Sequence, residues 1–450
     1  MRDRLRFCPR VTRVPGDPEL DAVLGHFGPE RRPVLLDGAA GRPLRFALLG
    51  IDPVATARIG SLAELRPLVA RLEPAGGDPD LPGAFHGGFL GALAYDLGVA
   101  GEGLTLPPEP WGFPKVVGGL YTDFLVRDHA DRTWLVLGEE PGDGRPAVGE
   151  RRERLLAQLE RPPVLRPASA AGPLERSTSA AEHRARIARA QEAIAAGEMY
   201  QANVAHRMTR AVDGDPADLY RRLRLANPAP YMGFLSFEGG AVLSSSPELL
   251  LEFRPGELAR TRPIKGTVER GATPEADEAN ARRLLASEKD RAELAMIVDL
   301  ERNDLGRIAE VGSVRVGEFP RLETYAAVHH LVADVECRPR PEVDAVAALE
   351  ALFPGGSITG APKLRSMEII ADLEREGRGF FTGSLGLLDL RGRALFNILI
   401  RTLLWRPRDA GGGEVSFRVG GGITWASDPA LEDAETLAKG RALAEALEGP

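Results

Sequence analysis

Along the first 150 residues short apolar runs alternate with turn clusters, at 33–37, 46–51 and, after Gly87-Gly88, 89–95. Runs of that length bounded by Gly, Pro and Asp predict strands. Residues 124–127 and 133–137 flank Asp128-His129-Ala130-Asp131, which predicts a hairpin with His129 in its loop. Between 161 and 178 Pro, Ala and Ser predominate without periodicity. That composition predicts a linker, dividing the chain into an N-terminal part, 1–160, and a larger part, 179–450.

In the larger part the period changes. Ser179 and Glu182 form a capping box, and Ile187, Gln191 and Ile194 recur at helical spacing until Gly197. Alternation then returns: Ala202, Val204, His206 and Met208 share one face, Gln201 and Asn203 the other. A histidine on an apolar face reads as a satisfied core residue more readily than as a ligand. Strands are predicted over 231–238 and 241–253, and one long amphipathic helix over 280–300. Near the end, the loop 354–363 opens onto a helix over 364–375. Strands over 383–390, 394–405 and 415–419 follow, then Gly420-Gly421-Gly422 and a final helix capped by Asp428, with Pro429 in its first turn.

Composition narrows the function classes. A chain of 450 residues exceeds one simple core. Its 57 Lys and Arg are interspersed with 65 Asp and Glu for a net charge of −8, which leaves no electrostatic footprint for nucleic acid. Cys8 and Cys337 form neither metal spacing nor a disulfide framework, as suits a reducing cytoplasm. No run of about eighteen apolar residues occurs and none follows Met1, so a soluble cytoplasmic protein without membrane association is expected.

Candidate chemistry concentrates after residue 240. In Arg260-Thr261-Arg262-Pro263-Ile264-Lys265-Gly266-Thr267, one lysine lies between a proline and a glycine. Cationic neighbours such as Arg260 and Arg262, or an apolar pocket, would push its ammonium toward the nucleophilic amine; the alternative is a lysine guarding an edge strand. Glu248 is an acid among strand apolars, where burial would raise its pKa and fit it for general-acid work. Arg401 sits in a run apolar on both faces, so its guanidinium needs a carboxylate, of the protein or of a ligand. Glu432, Glu435 and Lys439 share one helical face, and Glu293 lies at the edge of another helix's buried stripe. Carboxylates without nearby His or Cys suit a hard cation such as Mg²⁺, or else form a surface salt network. The glycine loop 355–363 lacks the spacing of a nucleotide-binding P-loop, because Ala361-Pro362 separates Gly360 from Lys363 and no hydroxyl follows. It remains a generic anion-holding turn.

Together these residues resemble the chorismate-utilising enzymes, the family that includes anthranilate synthase component I, aminodeoxychorismate synthase component I, isochorismate synthase and salicylate synthase. The resemblance runs from about 180 to 445. It rests on Ser246-Pro247-Glu248, Pro263 to Thr267, Ala292-Glu293, Met296 to Leu300, Arg302-Asn303-Asp304, Pro354 to Lys363, Gly420 to Gly422, and Glu432, Glu435 and Lys439. The first third matches more loosely, through Gly87-Gly88-Phe89 and Tyr95-Asp96.

The resemblance implies an α/β (α+β) fold like that of anthranilate synthase component I, with two mainly antiparallel sheets packed face to face and helices outside. It implies that Glu293, Glu432 and Glu435 hold Mg²⁺ against the ring carboxylate of chorismate. Arg401 and the backbone of Gly420, Gly421 and Gly422 would take the enolpyruvyl carboxylate, and Glu248 would protonate the departing C4 hydroxyl. His330, Ser357, Thr267 and Lys439 would line the same pocket.

Lys265 separates the branches. Anthranilate synthases carry a small residue there and aminate C2, whereas aminodeoxychorismate synthases carry the lysine, which adds at C2 so that ammonia enters at C4. Water-adding relatives carry a lysine near 200–203, where this chain has Gln201. The resemblance therefore favours the para-aminobenzoate and folate branch, with an anthranilate synthase or a silent chorismate-binding regulator as alternatives. Retention of Glu248, Glu293, Glu432, Glu435 and Lys265 opposes silence. Two departures stand out: Phe381 replaces a common tyrosine, and Leu35-Leu36-Asp37-Gly38 replaces a Leu-Leu-x-Ser motif that binds tryptophan in relatives. Neither cysteine sits in a glutaminase turn, so ammonia is expected from a separate glutamine amidotransferase subunit or from solution. No pyruvate-releasing lyase segment follows, so the expected product keeps its enolpyruvyl group.

Overall fold

The computed structural model describes residues 5–38, 46–57, 59–76, 85–99, 102–128, 130–138, 145–325, 328–409 and 411–448. His129 lies outside them. The predicted strands form at Val34–Asp37, Phe46–Ile51 and Gly88–Leu93, and Asp123–Asp128 pairs with Thr133–Gly138 as the predicted hairpin. Tyr95 falls in a 3₁₀ turn beyond its expected strand.

Among the described residues, two large sheets dominate, of thirteen and nine strands, with a three-stranded sheet beside them. All their pairings are antiparallel; the one parallel pair joins Leu5–Phe7 to Leu72–Pro74. Face-to-face packing follows from the two-residue period of the strands. Leu36, Leu48, Val242 and Leu404 of the larger sheet meet Leu90, Ala92, Leu385 and Leu387 of the smaller in one core. Their neighbours Leu35, Leu49, Leu243 and Leu403 point the other way, against the helices Pro216–Ala226 and Pro429–Glu448. The outer face of the nine-stranded sheet is covered by Glu288–Gly306 and Ala345–Leu352. No described helix is long and apolar enough to cross a membrane.

The 161–178 stretch contributes two short strands, Ser169–Ala170 and Glu175–Arg176, to the edge of Gln201–Asp213. Strands from both sides of it share the sheets: Tyr231–Phe237 pairs with Val34–Asp37, and Ser384–Asp389 with Gly88–Leu93. The two parts of the chain are thus interleaved rather than separate bodies.

Four elements differ from expectation. The predicted helix over 280–300 is two, Pro274–Ala286 and Glu288–Gly306, because Ser287 leaves the helical region and caps the second through Asp290 N–H. The predicted strands 241–253 and 394–405 are each broken in two. Gly240–Ser246 and Thr402–Pro407 pair in the larger sheet, whereas Leu249–Arg254 and Ala394–Asn397 pair in the smaller one. Both segments therefore cross between sheets side by side, tied by Ile398 N–H to Glu248 O at 3.0 Å and Ser246 Oγ–H to Ile398 O at 2.6 Å. Glu248 and Arg401 stand at this double crossing. Finally, the strand predicted to stop at 419 runs from Gly413 to Ile423, through the glycine triplet.

Candidate active site

Lys265 also follows a crossing. Leu258–Arg262 belongs to the nine-stranded sheet and Ile264–Glu269 to the three-stranded one, with Pro263 between them. A bulge at Gly266, in the left-handed region at φ +78°, breaks the ladder beside the lysine. Lys265 does stand on an edge strand, but its amine turns inward, donating to Ser357 O at 3.4 Å. Burial lowers its pKa and the charge of Lys439 pushes the same way, against Glu293 and Glu248. The expected cationic neighbours are the wrong ones. Arg260 is paired with Glu252, and Arg262 with Glu323 and Asp334, so neither acts on the amine.

Glu248 is buried, and its pKa is pushed up to about 7 by that burial, with the Ser357 hydroxyl and Lys265 pulling partly back. A protonated carboxyl near neutral pH is the form able to donate a proton. Ile264 N–H reaches its Oε1 at 3.4 Å, linking the acid to the lysine strand.

Arg401 is not within a strand. It occupies the crossing with a left-handed backbone, φ +51°, which few L residues adopt without constraint. Burial lowers its pKa, Glu248 being the carboxylate that opposes the shift, yet Arg401 makes no ion pair or side-chain hydrogen bond among the described residues. Of the two expected partners, a carboxylate of the protein or of a ligand, none from the protein pairs with it among the described residues. A half-buried, unpaired guanidinium is a receptor for a ligand carboxylate. Beside it, His330 is driven to a pKa of about 3 by burial and by Arg401, so it is neutral, and its Nδ1 meets Thr267 Oγ1 at 2.8 Å.

The acids gather on two helices. Lys289 Nζ lies between them, 3.8 Å from Glu293 Oε1 and 3.5 Å from Glu432 Oε1. Glu435 pairs with Lys439 at 2.8 Å, and Lys439 also donates to Gly420 O at 3.3 Å. Burial raises the Glu293 pKa, opposed by Lys265 and Lys289, and Asp290 raises it further. An ammonium seated between two carboxylates, with an all-oxygen donor set, marks a place that fits a hard cation. Glu293, Glu432 and Glu435 would be its donors, with Asp290 one turn before Glu293.

The glycine triplet closes the site. Gly421 and Gly422 sit opposite Val204 and Asn203 on the neighbouring strand. A methyl group on Gly421 would lie 3.2 Å from Glu432 Oε2, and one on Gly422 would lie 2.4 Å from Gln201 Nε2 and 3.2 Å from Lys265 Nζ. Gln201 is fully buried, and neither of its amide atoms has a partner. Phe381 packs its ring on the Arg378 guanidinium at 5.5 Å. Contacts and charge effects thus link Lys265 to Ser357, Gly422, Glu248, Glu293, Glu435 and Lys439, and His330 to Thr267 and Arg401.

Asp290 and Lys289 escape a reading of the sequence, although Asp290 shares a helical face with Glu293 at i, i+3, a spacing that could have found it. A second cluster, His183, His206 and Asp433, has candidate ligand atoms within 4.8 Å of one another. Asp433 there already pairs with Arg176 and His183, and burial with Arg176 drives His206 to a pKa of about 3. His206 also meets Thr436 Oγ1 at 3.0 Å, so it is a core residue, as the alternation predicts.

The sandwich of two large sheets matches solved chorismate enzymes. Anthranilate synthase component I from Streptococcus pneumoniae superposes with a TM-score of 0.76 at 29% identity, over 89% of this chain and 92% of that one. The isochorismate synthase MenF from Escherichia coli shares the fold, with a TM-score of 0.76 at 19% identity over 99% and 96% of the two chains. Residues 33–445 match the chorismate binding enzyme family, and the chain belongs to it. It is a chorismate-utilising enzyme. Two relatives carry different names: an anthranilate synthase component 1 from Streptomyces coelicolor is 40% identical over 93% of this chain and 84% of its own length. An aminodeoxychorismate synthase component 1 from Bacillus subtilis is 35% identical over 92% and 91%.

Proposed function

We propose that this enzyme aminates chorismate at C4, giving 4-amino-4-deoxychorismate, with ammonia supplied by a separate glutamine amidotransferase subunit. The observation that carries the reading is the Lys265 amine, lowered in pKa by burial and directed at Ser357 within reach of the charge of Glu248. Arg401, unpaired among the described residues, binds a substrate carboxylate and orients the ring. Glu248, neutral below about pH 7, gives its proton to the departing C4 hydroxyl. Lys265 Nζ adds at C2 as the ring double bonds shift and the C4–O bond breaks, releasing water. Ammonia then forms the C4–N bond, the double bonds shift back, and the C2–N bond breaks to return the lysine amine. The net change is chorismate plus ammonia to aminodeoxychorismate plus water. Glu293, Glu432 and Glu435 would hold Mg²⁺, which when bound offsets the charge of the ring carboxylate.

Gln201 supports amination over hydration, since an amide cannot serve as the base that activates water. The 40% identity to an anthranilate synthase favours the second reading, amination at C2. Incubating the purified enzyme with chorismate, Mg²⁺ and ammonium separates the two. Aminodeoxychorismate without pyruvate is expected; anthranilate with stoichiometric pyruvate overturns the assignment.

A further inference from the structure

Glu301 lies two turns beyond Glu293 on the Glu288–Gly306 helix, about 12 Å along the axis at roughly 1.5 Å per residue. It is almost wholly buried, which is unusual for a carboxylate outside the site. Its Oε1 accepts the backbone N–H of Gly356 at 2.9 Å, while its Oε2 has no hydrogen-bond partner. One turn on, Asp304 pairs with Lys363 Nζ at 2.7 Å. The helix thereby grips both ends of the turn that contains Ser357. Contact there is tight: a methyl group on Gly356 would lie 2.6 Å from Leu300 Cδ2 and 3.0 Å from Glu301 Oε1. Ser357, the residue after the gripped amide, supplies the carbonyl that takes the Lys265 amine at 3.4 Å and a hydroxyl that acts on Glu248.

We propose that Glu301 is a positioning residue for the amination: by accepting the Gly356 N–H it fixes the Ser357 peptide, and through it the direction of the Lys265 amine. The inference rests on the role given to Lys265 above. What matters is the acceptor rather than the charge. Burial raises the Glu301 pKa to about 8, against the pull of Lys363, so the neutral carboxyl that still accepts through its carbonyl oxygen prevails at neutral pH. Without an acceptor the Gly356 N–H is left buried and unpaired, and the turn must move to find another.

The test compares Glu301→Leu, which removes the acceptor, with Glu301→Gln, which keeps it. For Glu301→Leu we expect kcat to fall about 10²-fold, the loss typical of a displaced catalytic group, with the chorismate KM changed less than about threefold. Glu301→Gln should stay within about threefold of the parent. A second readout does not depend on which product forms. The pH midpoint for acetylation of Lys265 by acetic anhydride, followed by peptide mass spectrometry, should rise by about one unit in Glu301→Leu as water reaches the amine, and stay put in Glu301→Gln. Should Glu301→Leu fail to fold, Glu301→Asp, one methylene too short to reach Gly356, replaces it with the same expectations. Parent-like kcat and labelling midpoint in Glu301→Leu or Glu301→Asp would overturn the proposal, as would an equal loss in Glu301→Gln. If the parent made anthranilate, the C4 assignment would fall while the labelling midpoint still decided the role of Glu301.

Discussion

The Lys265 amine stands where Gly422 leaves space for it: a methyl group on that glycine would lie 3.2 Å from Nζ and 2.4 Å from the buried Gln201 amide. The backbone at Gly422 is not left-handed, so alanine fits it without strain, and the cost falls on the two side chains. Gly422→Ala should therefore cut kcat by about tenfold or more, while the melting temperature drops by only about a few degrees. Unchanged kinetics would place the amine elsewhere.

Lys265→Ala tests the covalent step. On the proposed mechanism Arg401, Glu248 and the acidic helices would still bind and activate chorismate in this variant, so ammonia could attack only directly. We expect aminodeoxychorismate formation to vanish and residual anthranilate, with pyruvate, to be detected by chromatography. Lys265→Arg should do no better, because guanidinium stays protonated. A parent-like rate in Lys265→Ala would make the lysine a strand residue only.

Glu248 links pH to both rate and stability. Its folded pKa, about 7, lies above the usual 4.5, so its stabilising protonated form is fully present below 4.5 and is lost as pH rises through 7. Relative to Glu248→Gln, which is neutral throughout, the parent should lose up to roughly 3 kcal/mol over that window. Urea titrations at pH 5 and pH 8 read the difference directly. On the proposed mechanism the same proton is the one donated, so kcat/KM should decline above about pH 7 and Glu248→Gln should be nearly inactive. A stability difference that does not change with pH would show Glu248 to be ionised in the fold.

Chelation is expected to abolish turnover, and added Mg²⁺ to restore it. Glu432→Gln weakens the donor set at its most buried member, so the Mg²⁺ concentration for half-maximal rate should rise about 10-fold or more. Full activity in excess chelator would remove the metal from the site.

Tryptophan should neither inhibit nor stabilise the protein. Gly38 offers no hydroxyl, its N–H is held by Asp37 Oδ1 at 2.7 Å, and the other Asp37 oxygen is taken by Arg224 at 2.6 Å. A rise in melting temperature with millimolar tryptophan would contradict this.

Much of the architecture was legible locally. The run at 46–51, the hairpin about 128–131, the Ser179–Glu182 capping box and the Asp428 cap each encode their element within a few residues, through side-chain period and backbone hydrogen bonds that are themselves local. The family and the proposed reacting groups were readable too, because motifs such as Pro263 to Thr267 bring their own turn with them.

What the tertiary structure alone decided is where chains change partners. The apolar pattern of 241–253 and of 394–405 continues across each break, since residues buried on both faces look alike whichever sheet they join. Only the pairing of distant strands shows that both segments cross between sheets at the same level, placing Glu248 and Arg401 side by side. Charge partnership is equally non-local. Arg260 and Arg262 look like the cations nearest Lys265 in sequence, yet Glu252, Glu323 and Asp334 neutralise them, and Lys439, far along the chain, is the one the amine feels. Arg401, expected to need a carboxylate of the protein or of a ligand, pairs with none from the protein among the described residues. Sequence thus set which groups are present and what each can do, and packing determined which of them keep an open valence for a substrate.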